Sequence, residues 1–267
     1  MILHSHSVII WTVAARVSVV LPAYNAGPFL RPAVLSVLAE KNEVLEAVVV
    51  DDGSTDGSVD SLSDLPVRVV RQKNLGEAAA RNAGVRAAAG AFVTFLDGDD
   101  LLSPGALAKR LEHLDANPAA WAVGGLPSAL IDERGARLAE VFERMKAKLE
   151  FPLVLTGEFY RAGGFFPVSC SLYLYRREAL ERAGPYDETL AAAPDCDFHF
   201  RLLGLTEVPV LPVPTFERRL HAANLSMAGA RARELSFRPA VLEAIRLVNR
   251  RHGMNPSEIA PWELEYL

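Results

Sequence analysis

From residue 16 onward the apolar positions fall into short β-branched runs that alternate with stretches of helical spacing. VSVVLPAYN, starting at Val17, is closed by Pro22 and Asn25 and predicts a buried strand followed by a loop. In FLRPAVLSVLAEK, Phe29, Leu30, Val34, Leu35, Val37 and Leu38 recur at helical spacing, with Pro32 tolerable only in a first turn. LEAVVVDDGSTDGS predicts a second buried strand ending in acids, with Ser54, Thr55 and Asp56 as turn or capping residues. A third short strand is expected at Val67–Val70, an Ala-rich helix at Glu77–Ala89 closed by Gly90, and a fourth strand in AFVTFLDGDDLL before a helix that begins near Pro104. Further along, Ala119–Leu130 reads as a strand and Glu133–Gly135 as a hairpin turn. VSCSLYLY then reads as a strand, RREALERAG as a helix with Gly184 at its C-cap, and CDFHFRLLG as the apolar face of another helix. Arg231–Arg251 has the pattern of an amphipathic helix ended by Gly253.

Strands alternating with helices at this spacing predict an α/β fold, a mainly parallel central sheet with helices on both faces. Ligands of such sheets bind beyond the carboxyl ends of the strands. Asp51, Asp52, Asp97, Asp99 and Asp100 all fall at those ends, so separate strand assignments converge on one acidic rim. No internal repeat or linker divides the chain, which reads as an N-terminal extension (1–15), one domain (16–228) and a helical C-terminal tail (229–267).

Composition narrows the function classes. At 267 residues, with 50% hydrophobic and 23% charged positions, the chain has ample material for a core and is neither disordered nor a coiled coil. A net charge of -5 argues against a nucleic-acid partner, because it repels a phosphate backbone. Cys170 and Cys196 are too few and too far apart for a paired zinc site or a disulfide framework, which favours a reducing cytoplasm. The apolar run from Val8 to Ala15 is far shorter than the roughly 20 residues that span a bilayer. No Lys or Arg precedes it, so a signal peptide is not expected.

Clustered carboxylates at strand ends are oxygen ligands for a hard divalent cation, Mg2+ or Mn2+, which recruits one or two carboxylates together with substrate phosphates. Asp97-Gly98-Asp99-Asp100 has this form, and Gly98 is expected to let the backbone turn and to leave room for a diphosphate. The competing reading is a helix-capping acid cluster before Pro104. A second acid cluster at another strand end favours the cation.

VSVVLPAYN, VVVDDGSTD, NLGEAAARNAG, FLDGDD, SLYLYRREALERAGPYDE, PDCDFHFRL and RLHAANLS, in this order, make the chain from about Arg16 to Met227 resemble the family 2 glycosyltransferases of the GT-A fold. The resemblance implies that Pro22, Ala23 and Tyr24, in the loop closed by Asn25, pack on a nucleotide, and that Asp52 accepts a hydrogen bond from its base. Asp51 either joins them or braces the loop. Asn74, Gly76 and Arg81 would border the nucleotide, with a solvated helix position as the other reading of Arg81. Asp99 would be the principal metal ligand, with Asp97 toward the ribose or a metal-bound water, Gly98 beside the nucleotide diphosphate, and Asp100 equally suited to cap the next helix. His221, in Arg219-Leu220-His221, would complete the metal or diphosphate site, with a nearby Arg neutralising phosphate.

Asp195 corresponds to the general base of the family, which follows a Glu that is Pro194 here. Asp197 and Arg201 stand at the spacing of an intrahelical ion pair, an explanation Asp195 lacks; a plain N-cap is its alternative. The implied reaction is an inverting displacement that moves a sugar from a UDP-, dTDP- or GDP-sugar to a carbohydrate or lipid-linked acceptor, in polysaccharide or glycoconjugate synthesis. A nucleotide-sugar-binding protein with impaired catalysis is the alternative. A dehalogenase-type phosphatase would need DxDG followed by Thr or Ser, and a dehydrogenase GxGxxG after the first strand; neither is present. Arg231, Arg233, Arg238, Arg246, Arg250 and Arg251 offer peripheral contact with the inner face of a membrane, against the plainer reading of a solvated helix face.

Overall fold

A computed structural model describes residues 16–147, 152–158, 169–190, 192–222, 224, 227–228, 236–237, 247–248 and 250–253. The N-terminal extension and most of the tail lie outside these residues. Strand β1 (Val17–Ala23) is followed by helix α1 (Leu30–Ala39), β2 (Val44–Asp51), β3 (Arg68–Arg71), α2 (Glu77–Ala87) and β4 (Phe92–Phe95). These run parallel to one another in the order β3-β2-β1-β4, the two crossovers on either side of β1 leaving a switch point between β1 and β4. Val17, Val19, Val20 and Leu21 of β1 and Ala47 to Val50 of β2 are fully buried, as expected for strands covered on both faces. α1 buries Leu30, Ala33, Val34 and Val37, a helical stripe, and Pro32 sits harmlessly in its first turn. α2 buries Ala78 through Gly84, and its small side chains let it approach the sheet closely. A Cβ on Gly84 would lie 2.2 Å from a Val20 methyl.

Beyond β4 the sheet continues through β9 (Tyr173–Arg176), antiparallel to both its neighbours, to β6 (Ala122–Leu126), β10 (Val208–Pro214) and β8 (Val154–Leu155). A smaller sheet orders β5 (Leu101–Leu102), β11 (Phe216–Arg219) and β7 (Ala129–Ile131). The remaining described helices are α3 (Ala108–Ala116), α4 (Ala139–Lys146), α5 (Arg177–Ala183) and α6 (Pro194–Leu203). Gly184 follows α5 at φ 78°, the left-handed stop expected of it.

Several expectations need correction. The run Ala119–Leu130 is two strands in different sheets, because Pro127 has no N–H to donate and Ser128 N instead bonds Phe216 O at 2.9 Å. The helix expected near Pro104 starts at Ala108, since Gly105 at φ 71° interrupts the turn before it. In VSCSLYLY, Cys170–Leu172 is a 3-10 turn and only Tyr173 onward pairs with β4 and β6. In the tail, Ser236–Phe237 is β13, paired antiparallel with β12 (Met227–Ala228), so no helix runs through those positions. The turn at Glu133–Gly135 is found, closed by an Ile131 to Arg137 bridge. Much of the variable stretch 141–164 lies outside the described residues.

Candidate active site

The carboxyl edge of β1, β2 and β4 carries the predicted rim. In-register pairing of Ala23 with Asp51, and Asp52 N to Ala23 O at 2.9 Å, set the first loop against the second. Asn25, at φ 48°, donates its N–H to Ser54 Oγ at 3.0 Å and accepts Thr55 N at Oδ1 at 2.8 Å, so it ties the two loops together. Tyr24 is left 52% exposed beside them, a flat ring available for stacking.

Asp51 and Asp52 are both buried. Asp51 accepts Ser54 N and the Arg71 guanidinium, each at 2.8 Å, which is the bracing role. Asp52 accepts Gln72 Nε2 at 2.7 Å, Leu75 N at 2.8 Å and Gly76 N at 2.9 Å. It thereby folds the segment of Asn74 and Gly76 (φ 92°) over the strand end, and Asn74 N would stand 3.0 Å from a Cβ on Gly53.

Within Asp97-Gly98-Asp99-Asp100 the side chains diverge. Gly98 is packed: a Cβ there would meet Pro22 O at 3.1 Å and a Leu30 methyl at 3.3 Å, so the space its missing side chain provides is filled by the chain's own first loop and not by a ligand. Asp100 does not cap α3. It is buried and accepts Arg219 N at 2.8 Å, and burial, reinforced by Asp99 and Asp97, pushes its carboxyl well above the usual range. Asp97 and Asp99 remain partly exposed. Asp99 Oδ2 lies 2.9 Å from His221 Nε2 and 3.1 Å from Asn224 Nδ2, so the two residues expected to share a metal are brought together. Among the described residues no three of His, Cys, Asp and Glu converge on one point. A carboxylate and an imidazole, with Asp99 partly exposed, nevertheless fit a hard cation whose other ligands are phosphate oxygens and water.

Arg219 departs from its expected part: its Nε and Nη1 hold the carbonyls of Asp99 and Asp132, each at 2.9 Å, so it supports the backbone under the site rather than phosphate. Phe29, read from sequence only as an apolar position at helical spacing, packs at a tilt on His221 at 4.7 Å and lies under the Arg219 guanidinium at 5.0 Å. Asn224 was also missed. Its i+3 spacing to His221, whose N–H its Oδ1 accepts at 2.8 Å, was the available signal.

Asp195 is the second residue of α6, after Pro194, and the N-cap is Ala193 at φ 56° without a side-chain cap bond. The N-cap reading of Asp195 therefore fails, because Pro194 occupies the first helical position for which its fixed φ suits it. Asp197 has its predicted pair, Arg201 Nε at 2.9 Å, and also His252 Nε2 at 3.0 Å. Among the described residues no Lys or Arg forms an ion pair with Asp195. Burial lifts its carboxyl above the ordinary aspartate range, with Arg81 opposing and Asp97 adding. His199, one turn on, is buried between Tyr173 and Tyr175. Its Nδ1 lies 2.8 Å from Asp195 O and its Nε2 2.7 Å from Tyr175 Oη, and burial lowers its pKa to about 4.

Arg81 is not a solvated helix residue: it is 2% exposed. Its Nη2 donates to Asp97 Oδ1 at 3.0 Å and its Nη1 lies 2.5 Å from Glu77 Oε1. Burial works against this charge, but Glu77 and Asp97 more than offset it, so the guanidinium stays protonated. Glu77, the other residue missed, was legible only as an i,i+4 partner of Arg81. It lines a recess together with Leu75, Glu188, Thr189, Leu190 and Pro194. Of the basic tail, Arg251 makes an exposed ion pair with Asp187 at 2.7 Å. No helix among the described residues is long and apolar enough to cross a membrane.

The chain is similar to an uncharacterized glycosyltransferase of Nostoc sp., 30% identical over 81% of this chain and 68% of that protein. It is also similar to the succinoglycan biosynthesis protein ExoO of Rhizobium meliloti, 37% identical over 46% of this chain but only 36% of ExoO. Among solved structures, S. aureus TarS 1-349 in complex with UDP-GlcNAc superposes with a TM-score of 0.65, at 21% identity, over 94% of this chain and 68% of that one. The mannosyltransferase PcManGT of Pyrobaculum calidifontis, in complex with GDP-Man and Mn2+, gives 0.56 at 23% identity over 79% of this chain and 59% of that one. These likenesses show the GT-A fold that the strand order describes. The family model of Glycosyl transferase family 2 matches residues 18–184, well over half the chain, and the protein belongs to that family.

Proposed function

We propose that the protein transfers a sugar from a nucleoside-diphosphate sugar to an acceptor hydroxyl with inversion at the anomeric carbon, in the assembly of a polysaccharide or glycoconjugate. The observation that carries this reading is the pairing of Asp99 with His221 at the carboxyl edge of the sheet, with Asp195 close enough to Asp97 and Arg81 to feel both charges and, among the described residues, in no ion pair. Relatives named for polysaccharide synthesis and neighbours that bind UDP-GlcNAc or GDP-Man support it.

In this reading Tyr24 stacks on the nucleotide base, and the Asn25 and Asp52 loops shape the nucleoside pocket around Pro22, Ala23, Asp51, Asn74 and Gly76. Arg81 fixes Asp97 toward the ribose. Asp99 and His221, with Asp97 beside them, would hold Mg2+ or Mn2+, which supplies positive charge to the diphosphate leaving group. Asp195 takes the proton of the acceptor hydroxyl; the oxygen forms the new bond to the anomeric carbon as the bond to the diphosphate breaks. A carboxyl whose pKa lies above the ordinary value is a stronger base, which suits this step. Calorimetric titration with UDP-, dTDP- and GDP-sugars in the presence of Mn2+ tests the reading. One of them is expected to bind in a metal-dependent way, and failure of all of them overturns it.

A further inference from the structure

Position 194, beside Asp195, carries no carboxylate, but a carboxylate residue of another element, Glu77, lines the same recess as Pro194. Glu77, in the first turn of α2, lines this recess together with Leu190 and Pro194. The buried Arg81 guanidinium spans Glu77 at 2.5 Å and Asp97 at 3.0 Å, so one rigid cation joins a carboxylate on the donor rim to a carboxylate in the recess. Arg81 itself is held by its burial and by the Tyr186 ring 5.8 Å away, which stacks on Phe198 of the helix that carries Asp195. Glu77 is 37% exposed, so it is open to a ligand while its orientation is fixed. The recess mixes apolar wall (Leu75, Leu190, Pro194) with Glu77, Glu188 and Thr189, and among the described residues none that lines it is cationic. That is a surface for the face and hydroxyls of a sugar ring, and it disfavours a phosphate or carboxylate group.

We propose that Glu77 is the acceptor-binding carboxylate of this enzyme. From the α2 side of the recess it accepts a hydrogen bond from the acceptor ring and turns the attacking hydroxyl toward Asp195, and the ring that carries this hydroxyl is uncharged or amine-bearing. The inference rests on the glycosyltransfer reading above.

The test uses the full chain with Mn2+, the nucleotide sugar that it binds, and a panel of octyl glycosides as acceptors, neutral, amino and 6-phosphorylated. Glu77→Gln is expected to raise the acceptor KM at least tenfold and the donor Kd by much less, because Arg81 keeps Asp97 as its partner on the donor rim. Glu77→Asp should recover part of the loss, and the 6-phosphorylated glycosides should be the poorest acceptors of the parent enzyme. The donor Kd also reports whether each variant is folded. An acceptor KM unchanged in Glu77→Gln, or donor binding weakened as much as acceptor binding, overturns the role of Glu77 and leaves the glycosyltransfer reading standing. Absence of donor binding and turnover in the parent protein overturns that reading and this inference with it.

Discussion

His221 Nε2 lies 2.9 Å from Asp99 Oδ2 although 122 residues separate them in the chain. The contact closes the sheet edge: Asp99 follows β4, His221 follows β11, and Arg219 and Asp100 lock the two segments backbone to side chain beneath it. Phe29 covers the imidazole from the first loop. The pair is therefore preorganised by three separate segments.

Replacing either member tests the cation site. Asp99→Asn and His221→Ala should each abolish the Mn2+ dependence of nucleotide-sugar binding, with the melting temperature little changed because neither side chain is part of the apolar core. Calorimetry with and without EDTA reads the difference; metal-dependent binding preserved in Asp99→Asn would remove Asp99 from the site.

Asp195→Asn separates catalysis from binding. Loss of a general base costs on the order of 10²- to 10⁴-fold in kcat, while the donor Kd should stay within about twofold because the amide keeps the shape. In the parent enzyme the rate should fall as pH drops through a value above that of an ordinary aspartate, since burial disfavours the carboxylate that must accept the proton. Full activity in Asp195→Asn would assign the base elsewhere, and a parent protein that binds donor without turnover would be a binding protein.

His199 gives a stability prediction with a definite sign. Its pKa is about 4 in the fold, through burial, against 6.5 ordinarily. Between these values the unfolded chain takes up a proton that the folded one refuses. Its contribution to stability is therefore complete above pH 6.5 and declines as the pH falls to about 4, by roughly 3 kcal/mol. Urea midpoints measured across this range should fall, and His199→Gln should flatten the pH dependence while lowering stability at neutral pH through loss of the Tyr175 contact.

Gly84→Ala should destabilise the fold without touching the rim. Its Cβ would lie 2.2 Å from Val20 Cγ1 and 3.2 Å from Val50 Cγ2, forcing α2 away from β1 and β2. Overpacking of this kind costs about 1–3 kcal/mol, readable as a lower denaturation midpoint with donor affinity nearly intact.

Local pattern was enough for the framework. β-branched runs such as VSVVL and AVVV make strands wherever they are buried on both faces, and the stripe Leu30, Ala33, Val34, Val37 makes a helix for the same reason. The order of strand-end acids followed directly, and so did the intrahelical Asp197–Arg201 pair. Pairing across distance was not legible. Whether an aspartate on the rim is free for chemistry depends on which donors the fold delivers to it. Asp51 and Asp52 receive Arg71, Gln72 and backbone N–H groups, Asp100 receives Arg219 N, and Asp97 and Asp99 keep open faces. Arg81 reads alike in sequence whether solvated or buried; only packing of α2 against Tyr186 makes it a bridge between Glu77 and Asp97. The sequence by itself determined the strands, the helices and the types of chemistry available, because these follow from residue spacing and side-chain kind. Tertiary structure alone decided which carboxylates are spent on holding loops and which face a ligand, because desolvation and hydrogen-bond supply are set by contacts between distant segments.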